Sequence, residues 1–245
     1  MKLLCCVSYK GTNYQGWQKQ PDAPTIQGEI EKVLSHILNT EINIQGSGRT
    51  DAGVHALSQY FHFETEKELD LDRFRYSANC LLPKDIFIKS IRVVNDDFHA
   101  RYSAKQKIYT YKLYFGERNP FKEGQITNIP YKIDSNLLIE SLKAFEGTHN
   151  FQDFTSKEED EDNFVRTIYS IEFKNSKERD ELDITFIGNG FMRYQIRNMV
   201  GTALAVATGK EDSEYINGHL NCENERDICP YKAPADGLYL VDVNY

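Results

Sequence analysis

The chain has 245 residues, of which 40% are hydrophobic and 27% charged, a composition typical of a globular protein with one large domain or two small ones. No run of about 18 apolar residues occurs, and the apolar start is too short for a secretory signal, so we expect a cytoplasmic protein without membrane association. The net charge of -8 argues at first against a polyanionic partner. Much of the acid falls in three tracts, however, at 157–162, 177–183 and 222–227, so net charge does not exclude a nucleic acid.

The cysteines and histidines predict neither a disulfide framework nor a metal site. The five cysteines are scattered without CxxC spacing, and the six histidines are dispersed without the HExxH pattern of zinc enzymes. We therefore expect reduced thiols, no cofactor signature and no protein-bound catalytic metal.

The first half of the chain, residues 1–103, alternates strand and helix patterns. The predicted elements are a strand at 3–10, a turn-rich loop at 11–24, a helix at 26–38, strands at 41–45 and 58–65, a helix at 71–80 and a strand at 86–94. Their order, β-α-β-β-α-β, is that of the split ferredoxin-like unit.

The second half, residues 104–245, repeats this order. The predicted elements are strands at 107–115, 165–174, 182–188 and 237–243, helices at 135–145 and 190–208, and a short acidic helix at 212–220. We therefore predict an α+β fold of two ferredoxin-like (RRM-like) halves with a joined sheet, and a central cleft between the halves as the default ligand site.

A glycine-rich loop, QGSGRTDAGVHAL at 45–57, carries one carboxylate, Asp51. Arg49 precedes this acid by two residues and His55 follows it by four. Glycine permits positive φ, so the segment is a shaped loop, and a carboxylate beside a cation suits a nucleophile or general base. The plainer interpretation is a polar turn, which this pattern alone favours.

Cations and aromatic residues are interleaved in the stretch DFHARYSAKQKIY at 97–109. Such a mixture contacts phosphates through the cations and stacks bases on the rings. An equally good interpretation makes these ordinary strand residues with solvated charges. The cations are Arg101, Lys105 and Lys107, and the aromatic residues are Phe98, His99, Tyr102 and Tyr109.

Two further stretches hold candidate contacts. In GNGFMRYQIRNMVG, at 188–201, Arg193 and Arg197 lie four residues apart and share one helical face, whereas the apolar stripe is core. The loop YKGTNYQGWQKQ, at 9–20, contains Lys10, Lys19 and Trp17. That loop either binds a sugar or an RNA backbone, or is a structural loop with Trp17 as its own small core.

Together these segments resemble the A-type tRNA pseudouridine synthases, which modify the anticodon stem-loop at positions 38, 39 and 40. The similarity covers nearly the whole chain, and GRTDAGVH is its most specific motif. The other segments, in order, are YKGTNYQGWQKQ, NCLLPKDI, DFHARYSAKQKIYTYKLY, GNGFMRYQIRNMVGT and APADGLYLVDVNY. One departure is Arg193-Tyr194-Gln195, where the family more usually has Leu-Tyr-Asn or His-His-Met.

The resemblance implies a homodimer that acts on tRNA without a cofactor or essential metal. By motif, Asp51 is the catalytic aspartate, Tyr109 stacks on the target base, Arg197 pairs with the aspartate and Arg49 holds the flipped nucleotide. His55 is then structural. We expect the basic RNA surface to comprise Lys10, Lys19, Arg101, Lys105, Lys107 and Arg193.

Three alternatives stay open from the sequence. The first is the same chemistry on another uridine or another RNA. The second is a non-catalytic RNA-binding module of two RRM-like halves, against which neither half has an RNP1-like run. The third and weakest is a metal-assisted hydrolase that uses Asp51 and His55.

Overall fold

The computed structural model describes residues 1–156, 163–221 and 226–245. Within them the chain forms two compact units, one of Met1–Lys105 with Tyr239–Tyr245 and one of Gln106–Leu238. Helices and mostly antiparallel strands occur in both units, which confirms the α+β class. The acidic tract 157–162 and part of the tract 222–227 lie outside the described residues. No helix in the described ranges has the length and hydropathy needed to cross a membrane.

The first unit is built on an antiparallel sheet in which β1 is central. Strand β1 pairs on one side with β4 and on the other with β3, and β2 pairs with β3. Helix α2 packs against β4 and α1. The bounds of these elements are β1 Lys2–Tyr9, α1 Ile26–Leu38, β2 Gln45–Gly46, β3 His55–Glu64, α2 Leu71–Leu81 and β4 Ile86–Val94.

Strand β2 is shorter than the predicted strand at 41–45. The backbone N–H of Ile42 donates to Ser35 Oγ at 2.9 Å, and the N–H of Ile44 donates to Glu31 Oε1 at 3.1 Å. Both acceptors are side chains of α1, so this segment satisfies its backbone donors on the helix instead of in the sheet. The apolar pattern of a segment does not show whether its backbone bonds to a neighbouring strand or to side chains of a helix.

Both helices of the first unit begin at a side-chain cap. Thr25 Oγ1 accepts the N–H of Gly28 at 3.3 Å at the start of α1, and Asp70 Oδ1 accepts the N–H of Arg73 at 3.1 Å at the start of α2. Helix α1 ends where Asn39 takes a left-handed φ of 47°. These local signals explain why both helices lie close to their predicted bounds.

Trp17 joins an aromatic core in the first unit. It is 2% exposed, and its ring lies 6.1 Å from Tyr9 and 6.2 Å from Phe61. Phe61 continues the row to Phe63, at 6.5 Å. The loop at 9–20 therefore contributes its tryptophan to the main core, which favours the structural interpretation of Trp17 over a ligand contact.

In the second unit, antiparallel strands pair in the order β5-β9-β8-β7, and β6 pairs in parallel with β5. Helix α3 packs against α4. The bounds are β5 Gln106–Tyr114, β6 Thr127–Asn128, α3 Ser135–Lys143, β7 Gly147–Asn150, β8 Val165–Ser176, β9 Glu181–Gly188, α4 Gln195–Ala207 and α5 Glu214–Asn221.

Helix α4 is the buried centre of the second unit. Met199, Val200 and Ala203 are fully buried, and a Cβ on Gly201 would lie 2.8 Å from the backbone N of Lys232. The helix begins only at Gln195, later than the predicted 190, because the residue before it has a left-handed backbone. Glycine at 201 allows the segment around 232 to lie directly against the helix.

The last strand, β10 (Leu238–Asn244), belongs almost entirely to the first unit, although the chain order assigns it to the second half. It pairs in parallel with β3, with Tyr239 opposite His55 and Leu240 opposite Ala56. A parallel pairing between residues so distant in sequence has no local signature, because it depends on tertiary contacts.

We predict that Trp17→Ala lowers the free energy of unfolding by about 3 to 5 kcal/mol, because it empties a core position between two aromatic rings. Chemical denaturation of the purified protein measures this loss. Tyr102→Ala, at a side chain that is 76% exposed, is the control and should change stability by less than about 0.5 kcal/mol. Equal effects of the two variants would contradict the core assignment.

His62 on β3 makes stability depend on pH. Its Nδ1 accepts the N–H of Ala100 at 3.1 Å, and burial, with His99 and Lys2 nearby, lowers the pKa of His62 to about 4 from an unfolded value near 6.5. The unfolded chain therefore takes up this proton first as pH falls. We predict that wild-type stability drops between pH 6.5 and 4 and that His62→Gln, which keeps an acceptor, drops less. Parallel losses in the two proteins, measured by denaturation at each pH, would refute this.

Candidate active site

The Asp51 loop is tied to the N-terminal loop by backbone hydrogen bonds on both sides of the carboxylate. Before it, the N–H of Trp17 donates to Thr50 O at 3.0 Å, and after it the N–H of Gly53 donates to Tyr14 O at 3.3 Å. The N–H of Val54 closes a turn onto Asp51 O at 3.1 Å. The backbone on each side of Asp51 is thus fixed, and the partly buried carboxylate projects from a rigid turn.

Two glycines of the N-terminal loop make this approach possible. Gly16 has a φ of +89°, and a Cβ there would lie 2.6 Å from Thr50 O. A Cβ on Gly11 would lie 2.0 Å from Val54 O, closer than any real contact. Only glycine therefore permits the N-terminal loop to bracket the Asp51 loop at these positions.

His55 closes the far end of the loop. Its Nδ1 accepts the N–H of Gly11 at 3.0 Å, and its ring stacks on Tyr239 at 4.6 Å. The side chain is 1% exposed. Since Nδ1 is an acceptor in this bond, the neutral ring carries its proton on Nε2. His55 therefore contacts the N-terminal loop through Gly11 and helps to position it, which agrees with the structural role expected of His55.

The near end of the loop is held by side chains of β3. Ser47 Oγ donates to the side-chain oxygen of Gln59, whose Nε2 donates to Gly48 O at 2.9 Å. Tyr9 Oη and Thr50 Oγ1 share a further hydrogen bond of 2.8 Å. In the chain, Arg49 lies between the buried residues Ser47 and Thr50, two residues before Asp51. Its own side chain is exposed, so Arg49 lies at the surface of the loop.

Tyr109 lies on β5 of the second unit, opposite Phe186 on β9. It is 8% exposed, and its ring meets Phe191 edge-on at 5.4 Å. Two residues further along, Tyr111 is fully buried, and its hydroxyl donates to Pro234 O at 2.8 Å. The two tyrosines of this strand thus differ, because Tyr111 is a core residue whereas Tyr109 retains some exposed surface.

Arg197 lies in the first turn of α4. Its Nε donates to Ala233 O at 2.9 Å, and the N–H of Ala233 donates back to Arg197 O at 2.9 Å. This reciprocal pair fixes both the helix start and the plane of the guanidinium. An arginine held in this way presents its charge in a defined direction.

A cluster of cations surrounds Tyr194, the residue before α4. Nζ of Lys232 lies 4.4 Å from the centre of the Tyr194 ring, and Cζ of Arg193 and Arg197 lie at 4.9 and 5.3 Å. Arg193 also donates from Nη2 to Tyr194 Oη at 3.2 Å. Sequence reasoning found the two arginines and missed Lys232. Its one signal is its place just ahead of the APADGLYLV segment.

The other predicted RNA contacts are spread over both units. Lys19 forms an ion pair with Glu31 at 2.9 Å, and this hydrogen bond raises the pKa of Lys19 above its usual value. Arg101 lies 5.9 Å from the centre of the exposed Tyr102 ring. Lys10 and Lys105 are exposed, and Lys107 is half-buried. Their roles toward RNA stay predictions.

The family model described as tRNA pseudouridine synthase matches residues 5–103 and 142–245. A tRNA pseudouridine synthase A of Geobacillus sp. (strain WCH70) is 40% identical over 246 aligned positions, which cover 100% of this chain and 98% of the relative. One from Streptococcus mutans is 37% identical, covering 100% of this chain and 99% of the relative.

A solved structure of an archaeal box H/ACA sRNP Nop10–Cbf5 complex is also similar to this chain, with 13% identity and a TM-score of 0.36. The similarity covers 82% of this chain and 42% of the Nop10–Cbf5 chain, and it is too low to bear on fold or function. The family match and the full-length relatives carry the assignment. This chain belongs to the tRNA pseudouridine synthase family.

Proposed function

We propose that this protein isomerises uridine to pseudouridine at positions 38, 39 and 40 in the anticodon stem-loop of tRNA, with Asp51 as the catalytic carboxylate. The reaction class follows from the family, whose relatives of equal length are tRNA pseudouridine synthases. The observation that supports Asp51 is its rigid turn, bracketed on both sides by the N-terminal loop. The stem-loop and its three positions come from the resemblance of the motifs.

The chemistry needs one well-placed carboxylate. Uridine becomes pseudouridine when the N1–C1′ bond breaks, the uracil turns and C5 bonds to C1′. The proton lost from C5 is balanced by the proton gained at N1, so the product has the same atoms as the substrate. The reaction therefore requires no net oxidation and no donor of a chemical group.

Asp51 serves either of two routes. As a nucleophile it attacks C1′ of the ribose, and as a base it removes a ribose proton to give a glycal. Both routes need the ionised carboxylate, and a guanidinium partner favours that form. We assign this partnership to Arg197, whose Nε is anchored on Ala233 O, so that its charge is directed without rearrangement.

Tyr109 and Arg49 are assigned to the flipped nucleotide. Extrusion of a base from its stack costs a few kcal/mol, and stacking on an aromatic ring returns about 1 to 3 kcal/mol per base. Tyr109 is held edge-on against Phe191, which orients its ring before a base arrives. Arg49, which is exposed and lies two residues before Asp51, is assigned to holding the flipped nucleotide.

For the architecture, we propose two ferredoxin-like halves, 1–103 and 104–245, with a joined sheet and a central cleft. The strand pattern of the first unit supports this, because β4, β1, β3 and β2 follow one another in its sheet with α1 and α2 as the two helices. A cytoplasmic homodimer that works without a cofactor is the matching proposal for the assembly.

A non-catalytic RNA-binding module is the rival from another class. The bracketed Asp51 turn argues against it, because such a module has no use for a rigidly held carboxylate. Incubation of the purified protein with an unmodified tRNA transcript, without additives, and mapping of pseudouridine by position decides between them. Pseudouridine outside 38–40 would instead indicate the same chemistry on another uridine.

We predict that Asp51→Asn abolishes pseudouridine formation, by at least about a thousandfold, and leaves tRNA affinity within about threefold of wild type. The amide keeps the size of the side chain but can act neither as nucleophile nor as base. Single-turnover assays and filter binding measure the two effects. Asp72→Asn, whose side chain is 98% exposed, is the matched control. Near-wild-type turnover in Asp51→Asn would sink the assignment.

We predict that Arg197→Lys lowers turnover by about tenfold or more and changes the dissociation constant for tRNA by less than about threefold. Lysine keeps the charge but loses both the Nε bond to Ala233 O and the planar fork. Arg179→Lys, at an exposed turn, is the control for the same exchange. Equal losses of turnover and affinity would make Arg197 a phosphate contact instead.

A further inference from the structure

The three cations around Tyr194 form a concentrated positive site in an acidic protein. Lys232, Arg193 and Arg197 lie between 4.4 and 5.3 Å from the centre of one ring, and we call these three with Tyr194 the Tyr194 cluster. A single ring attracts a cation through its faces, but like charges brought to the same ring repel one another. Three positive charges gathered at one ring attract an anion such as a phosphate.

The cluster is held together by contacts of its backbone. The carbonyl of Arg193 accepts a hydrogen bond from Thr155 Oγ1 at 3.0 Å. On the other side, Lys232 precedes Ala233, which forms two hydrogen bonds with Arg197. Gly201 lets this segment approach the helix closely. The cations are therefore brought together by fixed main-chain positions.

The backbone of Tyr194 supports a functional interpretation. Its φ of 63° lies in the left-handed region, which is unfavourable for an aromatic residue. Such strain persists only where surrounding contacts impose it, and it is concentrated at ligand sites. Here the strained backbone turns the ring toward the two arginines and Lys232. Because cations lie over the ring, they compete with any base that would stack there, so the chemistry favours a phosphate over a base.

We propose that the Tyr194 cluster binds one backbone phosphate of the tRNA next to the target nucleotide. Lys232 and Arg193 are the phosphate ligands, and Tyr194 is the positioning residue that aligns them. The inference rests on the proposed function, because Arg197, assigned to Asp51, ties the cluster to the reacting nucleotide. The cluster thereby adds Lys232 and Tyr194 to the substrate contacts.

Binding of an unmodified tRNA transcript by Asp51→Asn protein, over a series of salt concentrations, tests the two ligands without turnover. Lys232→Gln and Arg193→Gln should each weaken binding roughly fivefold and reduce the slope of log K against log salt by about 0.7. Lys174→Gln, at an exposed position on β8, removes the same charge outside the cluster and should leave the slope unchanged. Wild-type slopes in both cluster variants, or an equal change in Lys174→Gln, would overturn the proposal.

Two substitutions at Tyr194 separate its ring from its backbone. Tyr194→Phe keeps the ring and should retain wild-type affinity within about twofold. Tyr194→Asn removes the ring but tolerates the left-handed backbone, and it should weaken tRNA binding about as much as Lys232→Gln. In the enzyme with Asp51 intact, Tyr194→Asn should raise KM and leave kcat within about twofold. A loss of kcat at unchanged KM would assign Tyr194 to the chemistry and refute its role at a phosphate.

An anticodon stem-loop with a single neutral methylphosphonate linkage, moved along the strand next to the target uridine, identifies the phosphate. At one linkage, wild-type affinity should fall about as far as in the double variant Lys232→Gln/Arg193→Gln, and that double variant should lose no more affinity there. Additive losses at every linkage would refute the assignment. Pseudouridine mapping with wild-type protein keeps the outcomes apart, because its failure overturns the proposed function whereas slope and linkage data judge the cluster.

Discussion

The close backbone contact between the N-terminal loop and the Asp51 loop is the constraint on which the candidate site depends. Gly11 and Gly16 allow an approach that a Cβ would prevent, and the hydrogen bonds from Trp17 and Gly53 lock it on both sides of the carboxylate. Trp17 also anchors the N-terminal loop in the aromatic core of the first unit. The contacts of the N-terminal loop therefore both fill the core and position Asp51, so movement of this loop would disrupt the core packing and displace the carboxylate.

In the second unit, different contacts orient the candidate residues Arg197 and Tyr194. Arg197 is oriented by a reciprocal backbone bond with Ala233, and Tyr194 adopts a strained backbone just before the helix begins. The strain is offset by the buried helix α4 behind it, which anchors the whole segment. In both units the candidate site residues lie on segments fixed by hydrogen bonds, and neither unit relies on a long loop for them among the residues described.

Local sequence signals predicted much of this fold. The caps at Thr25 and Asp70 mark where α1 and α2 begin, since a cap side chain bonds to backbone donors within a few residues. The same reasoning missed the late start of α4, because a left-handed tyrosine has no local signature, and it placed a strand at 41–45, where the backbone instead bonds to side chains of α1. Lys232 escaped notice because its neighbours in space come from a different segment.

The sequence by itself determined the family, the α+β class and the identity of the candidate carboxylate, because these are written in contiguous motifs and short-range periodicity. Only the tertiary structure decided that β10 joins the first unit, that Lys19 is paired with Glu31, and that three cations meet at Tyr194. The reason is physical. A parallel strand pairing, an ion pair across a loop and a charge cluster all join residues distant along the chain, and no local pattern encodes which distant groups will meet.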